Sequence, residues 1–219
     1  MSEVTTEHIG FIEKLFTPLV SDVMDRMGIH SHVLGRDIQS IPFDPKLKVA
    51  GVAFPCRVVP TSEYVEIDTL LGMVDSIPAN AFVAVAADAD IDAALWGGLM
   101  STRAKMRGAR AAVVNGGVRD FEQIDNLHFP VFGTYRCVKD IRRRGYMHSF
   151  GVEVTMDGVR IRPGDIIFGD ANGVVVIPHE SLADILIELE TSLTGEKRTA
   201  LGLQSGVSAR ELFQDFKTF

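Results

Sequence analysis

The sequence has little that would tie it to an oxidising compartment, a membrane or a nucleic acid. Its two cysteines, Cys56 and Cys137, lie far apart and form no CxxC, so neither a disulfide framework nor a thiolate zinc site is encoded. One bridge is possible in principle; reduced, buried thiols are the expectation. No apolar run approaches the roughly 20 residues needed to cross a bilayer. The N-terminal MSEVTTEHIGFIEKLF is amphipathic and carries acids, unlike a secretory signal. Positive charge is short as well. The formal charge is −7, and the basic run Arg142-Arg143-Arg144 is too small for a phosphate-tracking surface. These shortages point to a cytoplasmic protein with no membrane and no nucleic-acid partner. An acidic protein that binds an anion must then build positive charge locally, from arginines, helix N-termini or a metal.

Several catalytic signatures are missing too. There is no GxSxG, no GxxxxGKS or GxxxxGKT, and no GxGxxG, which removes the serine hydrolases, the P-loop enzymes and the Rossmann dehydrogenases. The histidines (8, 30, 32, 128, 148 and 179) show no HExxH or paired metal spacing, and His30 and His32 fall in a polar loop where they read as solvated. What is present is an ordinary globular balance, 46% hydrophobic and 23% charged, undivided by any Pro/Ser-rich linker. One domain over residues 1–219 is expected.

Apolar periodicity predicts two short helices between residues 6 and 27, the first burying Ile9, Ile12, Leu15 and Phe16, the second ended by Gly28. VAGVAFPCRVV (49–59) and AFVAVAA (81–87) read as buried strands, with a helix over 63–72 between them and an acidic loop over 88–92 after them. ALWGGLMSTRAKMRG reads as helical up to Gly108, and AAVVN (111–115) as a short strand buried on both faces. Strand, helix, strand is the signature of a right-handed crossover. PVFGTY (130–135) and a hairpin turning at Asp157-Gly158 follow, then two strands around residues 171–173. A helix from 180 to 201 and a last one from 208 to 216, with a Ser208/Glu211 capping box, close the chain. The pattern is α/β: a single compact α/β/α domain with a central mixed β-sheet and C-terminal helices.

Two places concentrate chemistry. In Asn115-Gly116-Gly117-Val118-Arg119-Asp120 a buried strand ends in a tight turn, with an Arg-Asp pair beyond its carboxyl edge, where open α/β sheets bind ligands. Arg119 offers a planar fork for a carboxylate or carbonyl oxygen, and Asp120 offers hard oxygens to Mg2+. The structural alternative is a Gly-Gly turn followed by an Asp that caps a helix over 121–127. In Gly97-Gly98-Leu99-Met100 a helix opens with no Cβ over its first N–H groups, which suits a carboxylate; otherwise these glycines permit close helix–sheet packing. Met24, Met27, Met100 and Met106 fall at core spacing. Trp96 reads as core as well, although it is placed to wall a pocket.

The run Ala94 to Gly108 followed by Ala112 to Asp120 resembles the core signature of the RraA-like family, which includes the class II 4-hydroxy-4-methyl-2-oxoglutarate aldolases that also decarboxylate oxaloacetate. Ser21-Asp22 with Asp25-Arg26, Pro130-Val-Phe132, Arg162-Pro-Gly-Asp165 and Gly173 to Pro178 extend the resemblance over nearly the whole chain. It implies a homo-oligomer (trimer or hexamer) with sites at subunit boundaries, residues 195–219 lying at such a boundary. It also implies a carboxylate held by the amides of Gly97, Gly98, Leu99 and Met100, the 2-oxo oxygen on Arg119, and Mg2+ (or Mn2+) on Asp120. Glu196 is the candidate for an acidic residue that reaches the neighbouring site. Two positions depart from the pattern: Asn115 stands where many members have Asp, and Gly98 where many have an acidic residue.

The implied activity is that of a metal-dependent carbon–carbon lyase making a pyruvate enolate from a small 2-oxo acid. A base, water at the metal or Asp22, would take the hydroxyl proton of a 4-hydroxy-2-oxo acid, whereas oxaloacetate would lose CO2 without one. Arg119 and Asp120 are the expected catalytic pair. The rivals are a non-catalytic protein-binding regulator of the ribonuclease-inhibitor kind and a methyltransferase, the latter opposed by the lack of a glycine-rich nucleotide loop.

Overall fold

A computed structural model describes residues 4–216. The helices are α1 (Thr6–Ile12), α2 (Thr17–Arg26), α3 (Asp68–Ser76), α4 (Gly98–Met106), α5 (Phe121–Leu127), α6 (Leu182–Gln204) and α7 (Ala209–Phe216). The strands are β1 (Gln39–Ser40), β2 (Lys48–Pro60), β3 (Ala81–Ala87), β4 (Ala94–Trp96), β5 (Ala111–Val114), β6 (Gly117–Val118), β7 (Val131–Gly133), β8 (Tyr135–Arg136), β9 (Gly145–Phe150), β10 (Val154–Met156), β11 (Val159–Ile161), β12 (Ile166–Asp170) and β13 (Gly173–Ile177).

The central sheet runs β1-β7-β5-β3-β2-β12-β13, and β9 adds to the far half of β2. It is mixed: β2, β3, β5 and β7 are parallel, and β1, β9, β12 and β13 join antiparallel. Every residue of β3 is buried, as expected of a strand covered on both faces. Alternation sorts its side chains. Ala81, Val83 and Val85 join the core under α3, α4 and α5, while Phe82, Ala84 and Ala86 join Met156 and Ile161 of the β10–β11 hairpin. A third cluster packs α1, α2 and α6 on Ile166, Phe168, Val175 and Ile177. The expected fold class is the observed one, a mixed sheet flanked by helices with two helices closing the chain.

After β3, β5 and β7 the chain forms β4, β6 and β8, which pair with one another in a second, parallel three-stranded sheet, and α4 and α5 start only beyond β4 and β6. This corrects the sequence reading of Ala94-Leu-Trp96 as helical: the helix starts at Gly98 because Ala94 and Trp96 pair with Gly117 and Val118, a tertiary bond that local propensity does not encode. Helix α3 also begins five residues later than expected, and β9 carries no clear alternation that would have revealed it. Met106 is 75% exposed rather than core, because it lies on the last turn of α4. His32 is buried rather than solvated, its ring bonded to Ser21 Oγ (2.9 Å) and Ile29 O (2.8 Å). Cys56 and Cys137 are free, buried thiols, and burial pushes the Cys56 pKa up. No helix among the described residues is long and apolar enough to cross a membrane.

The small sheet makes heavy demands on its glycines. A Cβ on Gly117 would lie 2.7 Å from Ala93 O and 2.6 Å from Cys137 Cβ, and backbone cannot yield cheaply. Gly117→Ala should therefore lower stability by about 1–3 kcal/mol, the usual range for overpacking. Gly10, inside α1 with nothing within 4 Å, should gain about 0.5–1 kcal/mol as alanine. Urea midpoints of the two variants check both signs.

Candidate active site

At the carboxyl edge of the small sheet, β4 delivers Gly97 and Gly98, and β6 delivers Arg119 and Asp120. The Arg119 N–H bonds to Trp96 O (3.1 Å), continuing the β4–β6 pairing and setting the two motifs side by side. Asp120 adopts a left-handed backbone (φ 62°, ψ 45°) and makes no side-chain cap on α5. Its Oδ2 accepts the Gly98 N–H instead, at 3.0 Å, and so caps α4 from across the turn. The alternative in which Asp120 caps its own helix is set aside. Aspartate is among the few residues that tolerate this conformation.

The first bond inside α4 is Ser101 N–H to Gly97 O (3.0 Å). The N–H groups of Leu99 and Met100 precede it and have no intrahelical acceptor. With Gly98 N–H committed to Asp120, they are the two amides of the expected quartet that the helix itself leaves for an anion. A Cβ on Gly97 would sit 2.7 Å from Asp120 Oδ2 and 3.1 Å from Arg119 Cγ, so glycine there is what lets both side chains lie over the turn. The space over Gly98 is filled by Gln123 of α5, whose Oε1 lies 2.1 Å from where a Cβ would be.

Arg119 lies between two carboxylates, with Nε 3.4 Å from Asp120 Oδ2 and Nη1 3.4 Å from Asp140 Oδ2. The sequence reading missed Asp140, since its only signal was its place beside Arg142–Arg144. The backbone N–H of Arg142 (2.8 Å) holds the Asp140 pKa below the usual carboxylate value, aided by the Arg142 and Arg119 charges against partial burial. Together these groups open on a cleft of about 370 Å3. Its other walls are α3, Leu99, Met100, Arg103 and Ile141, with Trp96 at its base. The Trp96 indole is 1% exposed, stacks on Phe129 and donates to Ser101 Oγ (2.8 Å), so it is core that also walls the pocket.

Glu196 is not brought to this cleft within the chain. It sits on α6, which packs against α2 through Arg26 Nη2 and Ser192 Oγ (2.7 Å). Its Oε2 is buried without a hydrogen-bond partner. Burial first, and the charge of Asp22 second, push its pKa up. Among the described residues, no three His, Cys, Asp or Glu side chains gather as a metal cluster.

Comparisons with known proteins identify the family. Protein DlpA of Legionella pneumophila is 28% identical over 200 residues, which cover 90% of this chain but only 32% of that protein; the chain spans about a third of its length. A putative 4-hydroxy-4-methyl-2-oxoglutarate aldolase of Halalkalibacterium halodurans is 26% identical over 95% of this chain and 94% of its own. A crystal structure described as of novel cellulases from microbes associated with the gut ecosystem superposes with a TM-score of 0.85 at 32% identity, over 90% of this chain and 89% of that one. The family model for RraA-like proteins (Aldolase/RraA) matches residues 17–176, a span that holds both glycine motifs, Arg119, Asp120 and Asp140. The chain belongs to the RraA-like family.

Proposed function

We propose that the cleft is the active site of a divalent-metal-dependent carbon–carbon lyase. It forms a pyruvate enolate by retro-aldol cleavage of a 4-hydroxy-2-oxo acid, such as 4-hydroxy-4-methyl-2-oxoglutarate, or by decarboxylation of oxaloacetate. The observation that carries this reading is the meeting of the α4 N-terminus, Arg119 and Asp120 at one sheet edge. Leu99 and Met100 N–H groups receive the substrate carboxylate. Arg119 donates to the 2-oxo oxygen and stabilises the charge that grows there as the carbon–carbon bond breaks. Asp140 orients the guanidinium from its other side.

A half-exposed aspartate held by a backbone N–H suits Mg2+ or Mn2+, which keep several waters and take one or two carboxylates. Asp120 would hold the ion, which supplies Lewis-acid polarisation of the 2-oxo group. In a homo-oligomer, Glu196 of a second copy is the further candidate ligand that the family resemblance implies, its Oε2, buried in its own chain, having to turn outward to serve; residues 195–219 then lie at the subunit boundary.

The first test is pyruvate release from 4-hydroxy-4-methyl-2-oxoglutarate and from oxaloacetate, each with Mg2+ and with EDTA. Turnover lost in EDTA, and lowered roughly 100- to 1,000-fold in kcat/KM by Arg119→Ala, supports the lyase. Silence of folded, metal-loaded protein on both substrates would remove both and leave another 2-oxo acid or a non-catalytic protein-binding regulator.

Asp140→Asn should cost less, about tenfold in kcat/KM, because it removes orientation rather than charge from the reacting oxygen. The folded pKa of Asp140 is lowered, so its ion pair contributes fully above the ordinary carboxylate value of about 4. That contribution is lost only as pH falls through the lower folded value. For a side chain 43% exposed, the difference from wild type should be at most about 1 kcal/mol at pH 7. Urea titrations should find it at neutral pH and not in strong acid.

A further inference from the structure

The polar end of the cleft accounts for one carboxylate and one 2-oxo group, which occupy only part of the space. The remainder is apolar. Ile67, just before α3, and Leu70, Leu71 and Val74 on it line the cleft at i, i+3, i+4 and i+7, a second apolar stripe beside Met73 and Ile77, which seat the segment on the core with 0% exposure. Leu71 is 47% exposed and Leu99 81%, so neither is held there by the demands of packing. Met100 and Ile141 complete this end.

Each cation in the cleft already faces an aspartate, with which a second carboxylate would have to compete. Arg103 is bound to Asp75 (2.7 Å), Arg142 faces Asp140 (4.0 Å), and Arg119 lies between Asp120 and Asp140. Three arginines thus face three aspartates, and the stripe on α3 itself offers only aliphatic carbon. A carboxylate placed against it would lose its hydration with nothing in return.

We infer that the preferred substrate of this site is a 4-hydroxy-2-oxo acid whose C4 substituent is an unbranched aliphatic chain, packed on Leu70, Leu71, Leu99 and Ile141, rather than a dicarboxylate. The inference rests on the lyase reading and names the carbonyl half of the reaction. The C4 hydroxyl gives its proton to a base, and its oxygen forms the C=O of an aliphatic aldehyde. The C3–C4 bonding pair passes into the enolate of pyruvate, and a proton returns to C3. No electrons leave or enter, and the products are pyruvate and the aldehyde.

The test is kcat/KM for pyruvate release, with Mg2+ present, across 4-hydroxy-2-oxo acids bearing methyl, propyl and pentyl tails, beside 4-hydroxy-4-methyl-2-oxoglutarate. Burial of each methylene should raise kcat/KM about fourfold, with the dicarboxylate below the pentyl compound. In Leu71→Arg, an exposed position where folding should survive, the pentyl-to-methyl ratio should fall at least tenfold. Light scattering reports the assembly's mass alongside. A flat series, or preference for the dicarboxylate, overturns the inference while leaving the lyase standing. A Leu71→Arg variant that keeps the wild-type ratio but has lost subunits also overturns it, since α3 would then be an interface. Silence toward every member would remove the lyase reading and this inference with it.

Discussion

The Asp120 carboxylate touches both halves of the site. Its Oδ2 accepts the Gly98 N–H at 3.0 Å and stands 3.4 Å from Arg119 Nε, so one oxygen fixes the start of α4 relative to the strand that carries the arginine. Its left-handed backbone aims it away from α5 and toward α4. That geometry needs β4 and β6 paired, because Arg119 N–H on Trp96 O sets the register. It also needs no side chain on Gly97, whose Cβ would collide with this carboxylate. A hydrogen bond to a charged group, worth more than a neutral one, thus organises a helix end, an arginine and the mouth of a cleft together.

Such a site explains how a chain of net charge −7 can be suited to an anion. Each arginine that lines the cleft is balanced by an aspartate, so the field is local. On the proposed reading, a carboxylate is drawn by the pair of N–H groups at Leu99 and Met100 and by the exposed edge of Arg119. On the same reading the apolar stripe on α3 selects what else fits, and recognition divides into a polar half that fixes orientation and an aliphatic half that discriminates.

Most of the fold is legible in the sequence, because buried strands and amphipathic helices carry their own periods. AFVAVAA, AAVV and the stripe of α6 are examples, and Asp157-Gly158 marks its turn by the positive φ it adopts (51° and 82°). What is not legible is tertiary. Ala94-Leu-Trp96 has no local reason to be a strand; its reason is Gly117-Val118, more than twenty positions away. The glycine and Arg-Asp motifs of the site were legible as residue types. Their union was not, since spacing alone equally allows Asp120 to cap α5. Asp140 and the wall of α3 left no motif, because an orienting carboxylate and a pocket lining look like ordinary surface in sequence.

The two departures from the family pattern have different physical readings. Asn115 Oδ1 accepts the Ala87 N–H (2.8 Å) while its Nδ2 donates to Ala87 O (3.4 Å), so it clamps the carboxyl ends of β3 and β5 to one another. An aspartate could accept there but not donate, and it would add a charge to a hollow already lined by Asp37, Asp90 and Asp157. Asparagine is therefore the better residue for this clamp. Gly98 differs because its missing side chain faces α5, and neither it nor Gln123 lines the cleft. Gln123 fills that space with a neutral oxygen from the next helix, where an acidic residue at position 98 would have placed a charge. Nothing then competes with Asp120 for the Gly98 N–H, and the bond that joins the start of α4 to the Arg119-Asp120 turn stands undisturbed.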